Sequence, residues 1–222
     1  MGIMRKIGSA VSIVIVLLVF VWGLIHVEDI LFAFENNAQE TVEEWNLILV
    51  NRENAVPKNY SVELTRLSNG EQIDSRIYPS LQQMFDDARA QGISPIVISG
   101  YRTHDKQEVL MQEKIAAYEA EGNSKSDAKS LAENWVAIPG TSEHQLGIAV
   151  DIRADKQGST NEQVYEWLSQ NAYKYGFILR YPSNKVEITG INYEPWHYRY
   201  VGNEAALAIQ EQGMCLEEYL AN

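Results

Sequence analysis

The stretch Ser142-Glu143-His144-Gln145-Leu146-Gly147-Ile148-Ala149-Val150-Asp151-Ile152 decides how this chain is read. It joins a strand-like apolar run to a carboxylate inside that run, Asp151, and to an imidazole just upstream, His144. A carboxylate in an apolar strand is costly to bury unless it is paired or bound to a metal. Gly147, between the two, permits a sharp turn or a close backbone approach. The pattern predicts a strand over residues 147–152, with the histidine delivered by the turn before it.

A second segment has the same chemistry. Glu194-Pro195-Trp196-His197 puts a carboxylate three residues before another histidine, at the start of a strand predicted over 196–201. The chain has four histidines, at 26, 104, 144 and 197, so half of them fall in these two segments. It has one cysteine, Cys215, so neither an intrachain disulfide nor a CxxC metal or redox site can form. Any metal must be held by His, Asp or Glu. Two imidazoles and one carboxylate suit a catalytic zinc, with three protein ligands and one open position. Glu194 would then stand outside the metal shell as general base. Taken singly, His144 also reads as a satisfied polar residue, Asp151 as a buried cap or ion-pair member, and Glu194 with His197 as a surface turn.

Outward from these segments the body mixes helices and strands. Leu81, Met84, Phe85 and Ala88 share one face of a helix predicted over 78–91 and stopped by Gly92. Ile96-Val97-Ile98 is a short strand that ends at Ser99-Gly100-Tyr101-Arg102. Asp105 and Glu108 open a helix running to about residue 121. The small, polar segment 122–129 reads as a loop and 130–135 as a short helix. A helix over 162–175 turns Val164, Trp167 and Leu168 inward, 177–181 is a strand, and 204–212 is a closing helix. There is no regular βαβ alternation. The predicted fold is therefore α+β: one domain over 45–222, with a central antiparallel sheet flanked by helices.

The N-terminus has a different composition. Residues 7–25 carry no charge, are preceded by Arg5 and Lys6, and are followed by Glu28, Asp29 and Glu35. As a helix, this run spans roughly 28 Å, close to the thickness of a bilayer core. The positive-inside rule places residues 1–6 in the cytoplasm and everything after the span outside. A cleaved signal peptide has the same basic start but needs a small-x-small site, and His26-Val27-Glu28 is a poor one. Residues 26–44 read as an acidic stalk. The whole chain of 222 residues carries a net charge of -12 with a pI near 4.8. No nucleic-acid partner is expected, because phosphate neutralisation needs a basic surface.

The combination Ser142/His144/Gly147/Ala149/Asp151 followed by Glu194/His197 resembles the VanY-type D-alanyl-D-alanine carboxypeptidases. These are zinc peptidases grouped with the VanX dipeptidases and the L,D-carboxypeptidases of bacterial cell walls. The resemblance extends over roughly 45–201. It includes Ser99-Gly100-Tyr101-Arg102 with Gln107, Phe177-Ile178-Leu179-Arg180-Tyr181-Pro182, and Ile188-Thr189-Gly190. It implies one Zn2+ held by His144, Asp151 and His197, with Glu194 as catalytic base. It also implies Arg102 as a clamp on either the terminal carboxylate or the oxyanion. Gln107 and Ser142 would be partners in carboxylate recognition, and Tyr181 part of the substrate wall. His104 has no motif partner and is expected to face solvent beside Arg102.

The implied activity is removal of the last D-alanine from peptidoglycan stem peptides by a single-pass membrane enzyme with an extracytoplasmic catalytic domain. An L,D-carboxypeptidase would use the same metal and base residues. A zinc-containing wall-binding module that has lost turnover is the reading from a different class; Glu194 and Arg102 argue against it, since a pure binder needs neither. An uncleaved anchor makes a direct prediction: N-terminal sequencing of the membrane fraction should begin at Met1 or Gly2. A mature start between His26 and Asn37 would refute it.

Overall fold

Each strand of the sheet is set by where its apolar residues must go. The computed structural model describes residues 45–155 and 158–221. In chain order the elements are β1 (Leu64–Arg66), β2 (Gln72–Asp74), α1 (Tyr78–Ala90), β3 (Pro95–Ser99), α2 (His104–Ala120) and α3 (Lys125–Glu133). A 3-10 turn (Glu143–Leu146), β4 (Ala149–Ala154), α4 (Asn161–Asn171) and a second 3-10 turn (Ala172–Tyr175) follow. Next come β5 (Phe177–Leu179), α5 (Val186–Thr189), β6 (His197–Tyr200), α6 (Asn203–Gln212) and α7 (Leu216–Leu220).

Four strands form an antiparallel sheet in the order β3-β4-β6-β5. This is the predicted α+β architecture. Val150 and Ile152 point from β4 into the core, and the period of two sends Asp151 and Arg153 to the opposite face. Register then does the positioning: Asp151 pairs with His197 on β6 and with Ser99 on β3. An irregularity between Val97 and Ser99 shifts the end of β3, as a bulge does when it re-aims a strand. A second apolar cluster (Ile178, Val201, Ala205, Ala206, Ile209 and Leu216) packs α6 and α7 against the β5 edge.

The helices follow their caps. Leu81, Met84, Phe85 and Ala88 are the buried residues of α1. The Thr103 hydroxyl accepts from Lys106 N at the start of α2. Helix α4 begins with a capping box between Thr160 and Gln163.

Several boundaries differ from the sequence reading. The expected loop over 122–129 is already helical from Lys125: Ser124 accepts from Asp127 N, and burial of Ala128 and Ala132 sustains the helix to Glu133 rather than 135. Strand β4 starts at Ala149 rather than 147, because Gly147 takes a positive φ of 76° to end the 3-10 turn. The helix expected over 162–175 tightens into a 3-10 turn after Asn171 and stops at Gly176, where φ is 82°. Strand β5 ends at Leu179, ahead of Pro182, which has no N–H to give to a ladder. Strand β6 spans only 197–200, because Pro195 and Trp196 belong to a turn. The β1–β2 hairpin was not anticipated, although Asn69-Gly70 at its turn is a known hairpin signal. The expected cytoplasmic N-terminus (1–6), membrane span (7–25) and stalk (26–44) lie outside the described residues. Among the described residues no helix is long and apolar enough to cross a membrane.

The hairpin fastens both halves of the candidate site. Gln72 O accepts from Tyr101 N, Glu71 Oε2 accepts from Gly100 N at 3.0 Å, and Asp74 N donates to Gly147 O at 2.9 Å. A Cβ on Gly100 would lie 2.1 Å from Gln72 O, a backbone atom that cannot swing away. Gly100→Ala should therefore destabilise the domain by about 1–3 kcal/mol, as overpacking does. At 2–4 °C per kcal/mol for a domain of this size, the melting temperature should fall by several degrees. A thermal melt matching the wild type would show that the segment is not clamped.

Candidate metal centre and active site

His144 and Asp151 come together because the 3-10 turn folds the chain back onto the start of β4. Asp151 and His197 come together because they face one another across the β4–β6 ladder. His144 Nε2 lies 3.4 Å from Asp151 Oδ2, and His197 Nδ1 lies 3.1 Å from Asp151 Oδ1. The two imidazoles meet edge to face with centroids 4.9 Å apart. One ligand atom from each of the three residues lies within 4.8 Å of the others.

The histidines present opposite nitrogens. His144 Nδ1 is 2.8 Å from Gly100 O, which fixes its proton there and leaves Nε2 facing Asp151. His197 turns Nδ1 to Asp151 and Nε2 to Glu143.

Glu194 reaches the cluster from a turn with Pro195 at its second position, closed by His197 N donating to Glu194 O at 3.1 Å. Its Oε2 is 3.7 Å from His197 Nδ1. Arg102 stands on the other side. Its Nη1 donates to Gln107 Oε1 at 2.7 Å and its Nη2 to Ser99 Oγ at 2.8 Å, while Nη2 lies 3.7 Å from Asp151 Oδ2. Gln107 is wholly buried and uses its amide nitrogen on Ala137 O, 2.6 Å away, so it meets Arg102 rather than open space.

His144, Asp151, His197, Glu194, Arg102 and Gln107 line a single cavity of about 560 Å³, with Ser142 and Tyr181 among its walls. The Tyr181 ring lies 4.8 Å from that of His197. Ser142 precedes the 3-10 turn but makes no side-chain cap, and it is buried at the cavity wall. His104 is exposed at the start of α2, outside the cavity.

The electrostatics favour a cation. Burial opposes charge on His197, yet Asp151, Glu143 and Glu194 outweigh it and push its pKa up to about 9. Burial would raise the Asp151 carboxyl, but His144 and His197 hold it well below the usual carboxylate range. Burial pushes His144 below its ordinary value against the pull of Asp151. Burial also pushes Glu194 up to about 7, opposed by His197 and Arg102 and aided by Asp151.

The donor set fits a tetrahedral metal. Bond lengths of 2.0–2.2 Å place neighbouring ligand atoms about 3.3 Å apart; here the carboxylate approaches His144 through Oδ2 at 3.4 Å and His197 through Oδ1 at 3.1 Å, and one ligand atom from each residue lies within 4.8 Å of the others. Asp151 Oδ1 is buried without a hydrogen bond, although it lies 3.1 Å from His197 Nδ1. A cation satisfies that oxygen and both facing nitrogens at once.

The family model described as VanY, D-alanyl-D-alanine carboxypeptidase, matches residues 70–203. The chain belongs to the VanY family. A D-alanyl-D-alanine carboxypeptidase of Enterococcus faecalis is 62% identical over 178 residues, covering 80% of this chain and 66% of that protein. The chain thus spans just under two thirds of this curated relative. The solved structure of VanYB with D-alanine-D-alanine superposes with a TM-score of 0.80 at 62% identity, covering 81% of this chain and 99% of that one. A Zn(II) complex of a VanY D,D-pentapeptidase mutant from a VanB-type vancomycin resistance cassette gives a TM-score of 0.79 at 63% identity, covering 80% and 99%.

Within this VanY domain, sequence reasoning missed a layer of residues beneath the metal cluster. Glu143, Arg180 and Arg199 are buried, and Arg180 also pairs with Glu217. Charged residues beside a motif read as surface, and nothing in their spacing brings them together. Ser99, which holds Arg102, had a weak signal in its place within Ser99-Gly100-Tyr101-Arg102.

One divalent ion per chain is expected. Metal analysis should find it in the wild type and lose it after chelation, and in His144→Ala and His197→Ala. A fully active preparation with less than about a tenth of an equivalent of any divalent metal would refute the centre.

Proposed function

We propose that this chain is a zinc-dependent D,D-carboxypeptidase that removes the terminal D-alanine of peptidoglycan stem peptides. We place it outside the cytoplasmic membrane, anchored by residues 7–25. One observation carries the reading of the site: a His-Asp-His cluster, a buried carboxylate beyond it and a fixed guanidinium converge on one cavity. The substrate class rests on the E. faecalis relative and on the D-alanine-D-alanine complex of VanYB. The topology rests on the uncharged run behind Arg5 and Lys6.

His144, Asp151 and His197 would hold the zinc. When bound, the ion supplies a Lewis acid that draws electron density from the scissile carbonyl and lowers the pKa of a water toward about 7. Glu194, raised by burial into the range of a useful base, takes a proton from the attacking water. The water oxygen bonds to the carbonyl carbon, the C–N bond breaks, and Glu194 returns the proton to the departing D-alanine amine. Arg102 receives the terminal carboxylate. Two of its five N–H groups are committed to Gln107 and Ser99, and the rest of the planar fork can meet two oxygens. Ser142 and Tyr181 line the wall that the last residue would touch.

The purified protein, incubated with a pentapeptide stem, should release one D-alanine, seen as a single mass loss. Exclusive cleavage of the tetrapeptide stem would overturn the D,D assignment in favour of L,D. Glu194→Gln should keep its zinc and slow turnover at least about 10²–10⁴-fold, the usual worth of a positioned base. Release of the metal by this variant would make Glu194 a ligand instead.

Arg102→Lys keeps the charge and loses the fork. A lost bidentate contact to a charged group corresponds to about 10- to 150-fold in kcat/KM. With Arg102 on the carboxylate in ground and transition states alike, the loss appears mainly in KM. The wild type should then handle a C-terminally amidated stem poorly, and the variant should discriminate little between acid and amide. Kinetic constants within about twofold of wild type on the pentapeptide would remove Arg102 from chain-end recognition.

A further inference from the structure

Directly behind His197 lies a carboxylate that the catalytic steps do not use. Glu143 is wholly buried. Its Oε1 takes both arginines: Arg180 Nε donates at 2.7 Å, and Arg199 Nη1 lies 3.0 Å away. Its Oε2 has no hydrogen bond and faces His197 Nε2 at 3.6 Å. His197 Nε2 is likewise buried without a hydrogen bond. A small rotation of the ring brings two unpartnered polar atoms, a donor and an acceptor, into contact.

We infer that Glu143 is a positioning residue for the metal centre. Anchored by Arg180 and Arg199, it accepts the Nε2 proton of His197 and so commits Nδ1 to the ion. The inference rests on the zinc reading of the site. His144 has the equivalent device in Gly100 O, a carbonyl backing one nitrogen so that the other is presented. A carboxylate behind a ligating histidine fixes its tautomer and strengthens it as a ligand.

The anchoring is itself fixed. Arg180 donates through Nη1 and Nη2 to Glu217 at 2.9 and 2.6 Å, and Arg199 Nη2 donates to Asn46 O and Ile48 O at 2.9 Å each. Two arginines balance two glutamates, so the cluster adds no net charge next to the ion. Burial alone would raise the Glu143 carboxyl, and the two arginines with His197 outweigh it and keep it ionised. A carboxylate needed only to neutralise arginines would not keep one oxygen free and turned to a ligand.

Zinc affinity, measured on the full chain by competition with a chelator, tests this. Glu143→Gln keeps the shape and should weaken zinc binding about 10- to 100-fold, the usual effect of losing such a partner. Affinity within about twofold of wild type, with the loss confined to the melting temperature of the metal-free protein, would overturn the role. If that variant does not fold, Glu143→Gln/Arg199→Met removes the carboxylate and a guanidinium together, and the same two outcomes decide. The wild type supplies a necessary condition of its own. In a ¹⁵N-histidine spectrum of the zinc-loaded chain, His197 should carry a slowly exchanging proton on Nε2. A ring lacking that proton would overturn the inference. A wild type that binds no zinc would overturn the zinc reading as well, which separates the two failures.

Discussion

The site depends on the register of one rung, in which Asp151 on β4 faces His197 on β6. Side chains alternate along a strand, so a slip of one residue would send Asp151 into the apolar core and Val150 or Ile152 into the cavity. The buried side chains of β4 forbid that slip, because Val150 and Ile152 are both fully enclosed. Hydrophobic burial therefore sets the positions of two candidate metal ligands that contribute nothing to it. The same rung reaches β3 through Ser99, which holds Arg102. The Arg102 guanidinium and the His-Asp-His cluster thus share a single line of backbone pairing.

Around that rung each functional side chain has a backing group. Gly100 O sets the His144 ring, Gln107 and Ser99 set the Arg102 fork, and the Pro195 turn sets Glu194. The β1–β2 hairpin holds the segments that carry these groups, gripping 100–101 on one side and Gly147 on the other. A site held this way meets its substrate without first ordering itself, which is where much of the advantage of a fixed polar site arises.

Much of this was legible in the sequence. The apolar run around Asp151, the glycine at 147 and the Glu-Pro-Trp-His turn pointed to the residues that the fold brings together, because their chemistry is conspicuous against an apolar background. The α+β class followed from irregular alternation of elements. Helix starts were read less well: Ser124 with Asp127 is a capping signal hidden in a segment whose composition suggested a loop. The Glu143, Arg180, Arg199 and Glu217 cluster was not legible. Its members are charged, widely spaced and individually ordinary, and only tertiary structure makes them buried partners.

That cluster has a bearing on how the chain becomes competent. It joins Asn46 and Ile48, at one end of the described domain, to Glu217 at the other, through arginines on β6 and just after β5. Contacts between residues so distant in sequence close long loops, at a cost in chain entropy. His144 and Asp151 can meet early, being neighbours in the chain. The arginines that hold Glu143 behind His197 are themselves held from both ends. On the proposed role of Glu143, tight retention of an ion at His197 would depend on both outer segments of the described domain being in place.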